Sequence, residues 1–162
     1  MDQLTKRSKD QCFTAALLTA AGAETVYDTT VTLGYTIGGQ LYSKAAITDG
    51  AAPTTDINTG AAFLPLAADQ ASVFVWMINA AGTVAVAQGG VEEVDGDTDL
   101  RLVHPQFPYL PEGYVAFAYQ MVQTTSAGGF QFGSDNWNAT GVTDLIVDVN
   151  TLPVRPAAGV TA

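Results

Sequence analysis

The first clear pattern in this chain is a run of apolar residues at every second position, which leads into two adjacent glycines. The apolar positions are Val31, Leu33, Tyr35 and Ile37. A period of two is that of a half-buried β-strand. Gly38 and Gly39 fit a two-residue hairpin turn, because both central residues of such a turn need positive φ. The pattern therefore predicts a hairpin that extends to about residue 47, with Tyr35 opposite Tyr42.

A continuous apolar run from Val73 to Ile78 differs from this alternation. It has the length of a strand, and apolar residues on both sides are typical of a central strand that is covered on both faces. A turn at 79–82 leads to a return strand over 83–88. Alternation resumes over 114–122, where it predicts that the following residues share one face: Val115, Phe117, Tyr119 and Met121.

The rest of the chain supplies turns and a few more strands. Residues 48–62 are rich in turn formers and predict a long surface loop. Phe130 and Phe132 begin a return strand, and residues 145–149 predict a last one. We therefore predict an all-β fold of about seven to nine short strands, arranged as a β-sandwich, a jelly roll or a small barrel.

The predicted division of the chain has three parts: an N-terminal arm over 1–25, a β domain over 26–152 and a C-terminal tail over 153–162. Residues 13–23 are rich in Ala and Thr. They suit either an extended arm or a short helix, with Asp10 as its N-cap and Gly22 near its C-cap. We do not expect a cleaved signal sequence here, and the run is shorter than the roughly 20 apolar residues of a membrane-spanning helix.

Three prolines, at 105, 108 and 111, exclude a central strand from the segment 101–113. The apolar residues Phe107, Tyr109 and Leu110 are interspersed among them. Large apolar side chains are unfavourable in water. We therefore predict that the segment packs in extended form across a sheet or against a neighbouring subunit. These three residues are candidate partner or subunit contacts.

Charge limits the classes of partner. The net charge is −10, and only 14% of residues are charged. Nucleic acid is not an expected partner, because phosphate neutralisation needs clustered cations. Half of the six cations, Lys6, Arg7 and Lys9, lie in the first ten residues. They either remain solvated or dock the arm on an acidic partner.

Candidate catalytic and metal-binding residues are sparse. Cys12 is the sole cysteine and His104 the sole histidine, and nothing in the sequence places them together. Asp95, Asp97 and Asp99 have the spacing that opens a Ca²⁺ loop, but an EF-hand needs glycine where Leu100 stands and glutamate where Gln106 stands. We therefore expect no catalytic residue, no metal site and no cofactor.

Trp137, between Asn136 and Asn138, has two interpretations. Aromatic faces edged by amides bind sugars, but a tryptophan beside a turn is also a common core residue. The sequon at Asn138 is expected to be a chance match.

Three segments together resemble the capsid decoration, or cement, proteins of tailed bacteriophages and related small virion proteins. They are TVTLGYTIGGQLYSK (30–44), VFVWMINAAGTVAVAQG (73–89) and PQFPYLP (105–111). The resemblance implies a β-sandwich or jelly-roll body, a homotrimer and a terminal arm that bridges capsid subunits. Its partner would be the major capsid protein on the virion surface, after synthesis in the host cytoplasm. No membrane partner is implied.

Three hypotheses about function follow. The first is a non-enzymatic decoration protein that stabilises the capsid. The second is a carbohydrate- or receptor-binding module of a head fibre or tail, with an aromatic platform at Trp137 or Tyr109. The third is a β-fold glycosidase, which needs only two facing carboxylates about 5–10 Å apart.

Overall fold

The fold is all-β and sandwich-like, as predicted. The computed structural model describes residues 9–20, 25–95, 100–101 and 105–152, and these residues contain no helix. They form three sheets, none of which closes into a barrel. The twelve strands are β1 (Gln11–Cys12), β2 (Leu18–Ala20), β3 (Val26–Thr29), β4 (Leu33–Ile37), β5 (Gln40–Lys44), β6 (Gly50–Ala51), β7 (Gln70–Asn79), β8 (Val84–Gln88), β9 (Glu92–Asp95), β10 (Leu100–Arg101), β11 (Tyr114–Thr124) and β12 (Val142–Asp148). The number exceeds the prediction partly because β1, β6 and β10 have two residues each; the return strand predicted at Phe130 and Phe132 is wrong, since Phe130 forms only an isolated bridge with Leu66.

Strand β7 is the centre of the largest sheet, which has the order β10-β9-β7-β11-β12. Strand β8 pairs with the second half of β7, on the same side as β9. The predicted central run is confirmed, since every residue from Val73 to Ile78 is fully buried. Pleating sends successive side chains to opposite faces. Phe74, Trp76 and Ile78 therefore enter one core, and the alternate residues enter a second.

The prediction that Val115, Phe117, Tyr119 and Met121 share one face is wrong. The pairing of β11 with β7 shifts between Ala116 and Ala118, which is a β-bulge. One extra residue in a strand reverses the facing of everything after it. Val115 and Phe117 consequently lie in the first core, whereas Tyr119 and Met121 lie in the second.

Two small sheets, β1-β4-β5 and β2-β3-β6, contribute residues to the first core. The predicted hairpin is confirmed: Gly38 and Gly39 both have positive φ, 61° and 83°. Tyr35 pairs with Tyr42, and their rings stack with centroids 5.8 Å apart. The Tyr35 hydroxyl donates a hydrogen bond of 2.9 Å to the carbonyl of Asn79, which ties the hairpin to the end of β7.

The described part of the predicted arm packs against the same core. The helical alternative is wrong for residues 13–20, which form no helix and include β2. Cys12 pairs with Tyr35, and Leu18 pairs with Thr29. Cys12 is 0% exposed and Leu18 is 4% exposed. The division at residue 25 stays a prediction, because residues 21–24 lie outside the described part.

Two adjacent leucines test whether the arm is part of the core. Leu18 is buried, whereas Leu17 is 51% exposed. We expect Leu18→Ala to lower the free energy of unfolding by about 2–5 kcal/mol, since it leaves a cavity. Leu17→Ala should change it by less than about 0.5 kcal/mol. Urea unfolding followed by fluorescence of the buried Trp76 and Trp137 measures both, and equal effects would show that the arm is not part of the core.

Candidate contact surfaces

The proline-rich segment packs on the protein's own central sheet. Phe107 and Leu110 lie on the second core. The Phe107 ring meets Tyr119 edge-on, with centroids 5.1 Å apart. Tyr109 between them is 71% exposed. Of the two predicted modes, packing across a sheet is therefore observed for Phe107 and Leu110, and a role of the three residues in subunit contact stays a prediction.

Ile57 and Leu64 are exposed apolar residues on segments that bond to β8, and Tyr109 is exposed on the proline-rich segment that Asn58 joins to them; we call these three residues the loop surface. The Ile57 amide donates to the carbonyl of Val86 at 3.0 Å. The Leu64 amide donates to Oε1 of Gln88 at 2.7 Å, and Nε2 of Gln88 donates back to the Leu64 carbonyl. Hydrogen bonds to a strand thus hold the exposed residues in place.

Asn58 joins the predicted long loop to the proline-rich segment. Its Nδ2 donates to the carbonyl of Tyr109 at 2.8 Å. Its amide donates to Oδ1 of Asp56, a carboxylate that is only 8% exposed. The carbonyl of Asp56 also accepts from the amide of Gly60 at 2.8 Å. The prediction of a surface loop is confirmed for most of residues 48–62, and its tip is locally ordered.

A second exposed apolar surface is the outward side of the sheet β1-β4-β5. Cys12 and Tyr35 point into the core, so their neighbours point outward. The Phe13 amide donates to the carbonyl of Gly34 at 2.8 Å, which continues the pairing of β1 with β4. We call this surface the outer sheet face, formed by Phe13, Gly34, Thr36 and Leu41. Phe13 is 56% exposed and Leu41 is 69% exposed.

The sequence patterns missed Phe13 and Leu41. Leu41 pairs with Thr36, an outward-facing position of a strand whose inward residues are apolar. The available signal for Leu41 was that a large apolar residue occupies one of the outward positions of the hairpin, which are otherwise polar. For Phe13 there was no such signal, because its facing depends on the pairing of a two-residue strand with β4.

Two described lysines, Lys9 and Lys44, lie at the sheet β1-β4-β5, and Lys44 is on its inward side, opposite Leu33 and with its side chain over Gly82. The carbonyl of Lys9 accepts from the amide of Gly39 at 3.1 Å, which places this exposed lysine at the hairpin turn. Asp10, the next residue, accepts a hydrogen bond from the amide of Gly38 through Oδ1. Lys6 and Arg7 lie outside the described residues, so their predicted role in partner binding stays a prediction.

Cys12 is a buried thiol. Burial raises its pKa, and Sγ donates to the carbonyl of Thr14 at 3.2 Å. His104 and residues 96–99 lie outside the described part of the chain, so the candidate Ca²⁺ loop is described only at its edge in β9. Over the described ranges, no three His, Cys, Asp or Glu residues group in a way that could hold a metal ion.

Trp137 is a core residue, so the sugar-binding interpretation is wrong for it. It is 1% exposed, stacks on Phe132 and meets Trp76 edge-on. Its Nε1 has no hydrogen-bond partner among the residues that the structure describes. A ring that is covered on all sides cannot accept a sugar, which leaves Tyr109 as the platform that the second hypothesis named.

A buried chain of polar groups links β7, β11 and β12. Nε1 of Trp76 donates to Oε1 of Gln120 at 3.4 Å, and Nε2 of Gln120 donates to Oδ2 of Asp144 at 2.8 Å. Burial raises the pKa of Asp144, and the hydrogen bond from Gln120 offsets part of this effect. Both Oε1 and Nε2 of Gln120 therefore have a hydrogen-bond partner. This network of hydrogen bonds fixes the side-chain positions at the edge of the first core.

Comparison with protein families, curated proteins and solved structures found no match to this chain. Among the described residues, none forms a helix with the length and apolarity to cross a membrane.

Alanine substitutions at two adjacent glycines test whether the proline-rich segment packs closely against the central sheet. A Cβ at Gly89 would collide with the carbonyl oxygen of Gln106 and lie 2.7 Å from Cγ1 of Val73. At Gly90 the nearest atom is Oε1 of Glu92, at 3.3 Å on a flexible side chain. We expect Gly89→Ala to cost about 1–3 kcal/mol through overpacking. Gly90→Ala should stay within about 0.5 kcal/mol of the parent.

Thermal and urea unfolding measure both glycine variants, and limited proteolysis reports whether residues 105–111 become accessible. Equal stability of the two variants, with no new cleavage in the segment, would contradict this packing.

Proposed function

We propose that this protein is a non-enzymatic virion structural protein that binds and stabilises the capsid shell of a tailed bacteriophage. It acts as a decoration or cement protein, as a homotrimer on the capsid surface, after synthesis in the host cytoplasm. Its partner is the major capsid protein. The resemblance of three sequence segments to such proteins supports this proposal, together with two features of the surface.

The observation that carries the proposal is the distribution of exposed apolar side chains. Six large apolar residues of the described chain are exposed. Three form the loop surface and two belong to the outer sheet face, which leaves Leu17 by itself. Scattered apolar residues are normal on a protein surface, but grouped ones mark sites of protein contact.

The second supporting feature is that strand pairing and hydrogen bonds fix the positions of residues on both surfaces. Strand pairing holds Phe13 and Leu41, and hydrogen bonds to β8 and its side chains hold Ile57 and Leu64. A preorganised surface loses little conformational entropy when it binds. A protein that binds the assembled shell more tightly than free subunits stabilises the shell by mass action, and this requires no catalytic group.

A carbohydrate- or receptor-binding module is the second candidate, because the Tyr109 ring is 71% exposed and the Asn58 amide lies beside its backbone. Exposed aromatic faces next to amides suit sugar stacking. This candidate predicts glycan binding that Tyr109→Ala abolishes, and a location at a fibre or tail.

The test is mass spectrometry of purified virions of the encoding phage, followed by cryo-EM localisation. We expect three copies around three-fold or quasi-three-fold positions of the head, and earlier disassembly on heating when the protein is deleted. Complementation of the deletion with the wild-type protein is the control. Absence from the head surface would overturn the proposal, and a location at a fibre with glycan binding would favour the second candidate.

A further inference from the structure

We propose that residues 136–140, which we call the Trp137 loop, form a lid that opens as a unit and withdraws the Trp137 ring from the first core. The three sheets stay folded during this motion. The open lid displays the ring and uncovers the aromatic side chains beneath it, so the protein has an apolar surface that its closed state hides. The inference goes beyond the proposed function and does not rest on it.

Few hydrogen bonds hold the Trp137 loop to the body. Two are internal: the amide of Asn138 donates to Oδ1 of Asn136 at 2.9 Å, and the amide of Ala139 donates to the Asn136 carbonyl at 3.1 Å. Among the residues that the structure describes, one bond joins the loop to its surroundings, from the Val142 amide to the Ala139 carbonyl at 3.0 Å. Water can replace that bond when the loop opens, and segments with few such bonds are those that open locally.

The Trp137 ring is the main attachment of the loop. It is 1% exposed, whereas Asn138 and Thr140 are exposed. The ring stacks on Phe132 with centroids 5.9 Å apart and meets Trp76 edge-on at 5.7 Å. Burial of this apolar ring stabilises the closed lid.

The indole N–H of Trp137 favours the open lid. Its Nε1 is buried and has no hydrogen-bond partner in the described part of the chain. A buried donor without an acceptor is unfavourable relative to the same donor in water. Closing the lid therefore gains apolar burial but loses a hydrogen bond to water, which brings the free energies of the two states closer together.

The loop runs between two fixed points. Gly141 has a φ of 81°, in the left-handed region that glycine adopts without strain, and its carbonyl accepts from the amide of Thr125 at 2.8 Å. On the other side, the amide of Asp135 donates to the carbonyl of Gln131 at 2.9 Å, and Nε2 of Gln131 donates to the carbonyl of Phe63 at 3.1 Å. The hinges are therefore Gly141 and the link between residues 135 and 136, because hinges are the few loop positions that absorb a change in φ and ψ.

Two indole groups in contact provide an internal comparison. Nε1 of Trp76 donates to Oε1 of Gln120 at 3.4 Å, and both residues lie on strands of the large sheet. Opening of the lid leaves this bond in place. It should therefore expose the Nε1–H of Trp137 to solvent exchange and leave that of Trp76 protected.

Hydrogen exchange of the two indole groups, followed by NMR on the wild-type protein, tests the lid. We expect the Trp137 Nε1–H to exchange at least about tenfold faster than that of Trp76, through a local opening. Urea should accelerate the Trp137 exchange less steeply than it promotes global unfolding, because a local opening exposes less surface. Equal exchange rates for the two groups, with the urea dependence of global unfolding, would overturn the inference.

Limited proteolysis shows whether the backbone moves with the ring. Trp137→Ala removes the attachment, and Leu66→Ala is the matched control, because Leu66 is also buried in the first core but lies outside the loop. Under native conditions we expect proteinase K to cleave Trp137→Ala within residues 136–140 at least about tenfold faster than the wild type. Leu66→Ala should be cleaved there only as fast as it unfolds globally.

Circular dichroism and thermal unfolding check that both variants are folded. Loop cleavage of folded Trp137→Ala at the wild-type rate would contradict the lid, and so would equal acceleration in both variants. The exchange measurement needs no variant, so it decides the question by itself if Trp137→Ala does not fold.

Discussion

The structure depends on the requirement that strand β7 be covered on both faces. A strand in which every residue from Val73 to Ile78 is apolar cannot leave either face in water without losing hydrophobic stabilisation of about 25 cal/mol per Å². Strand β11 supplies the neighbouring apolar surface. The small sheets and the loop aromatics Phe63, Phe130, Phe132 and Trp137 cover one face, and the proline-rich segment with residues 149–152 covers the other. Residues 9–20 of the arm and the proline-rich segment are therefore parts of the body.

Sequence patterns predicted the features that depend on local chemistry. Val73–Ile78 is apolar enough to identify a central strand by itself, and the two glycines at the hairpin turn determine both the turn and the pairing of Tyr35 with Tyr42. The bulge at Ala116–Ala118 could not be predicted in this way, because the residues on either side of it alternate normally. A bulge is a property of the pairing between two strands.

The conformation of the arm and the exposure of the contact surfaces could not be predicted from the sequence for a similar reason, because both depend on contacts with distant parts of the chain. An Ala- and Thr-rich segment suits helix and strand alike, and its conformation depends on distant partners such as Asp148, which accepts from the amide of Leu17 at 3.0 Å. Apolar residues among prolines predicted that Phe107 and Leu110 would be covered, and the structure shows them on the second core. The exposure of Tyr109 and Leu41 follows from strand facing and from which segments lie beside them, which composition does not encode.

Native-state hydrogen exchange tests most directly the claim that β7 and its two covers form one cooperative core. The amides of Val73–Ile78 are predicted to be the slowest to exchange, with an opening free energy equal to that of global unfolding measured in urea. If these amides exchange instead through a local opening of lower free energy, while the rest of the sheet stays protected, β7 is not the strand on which the fold depends.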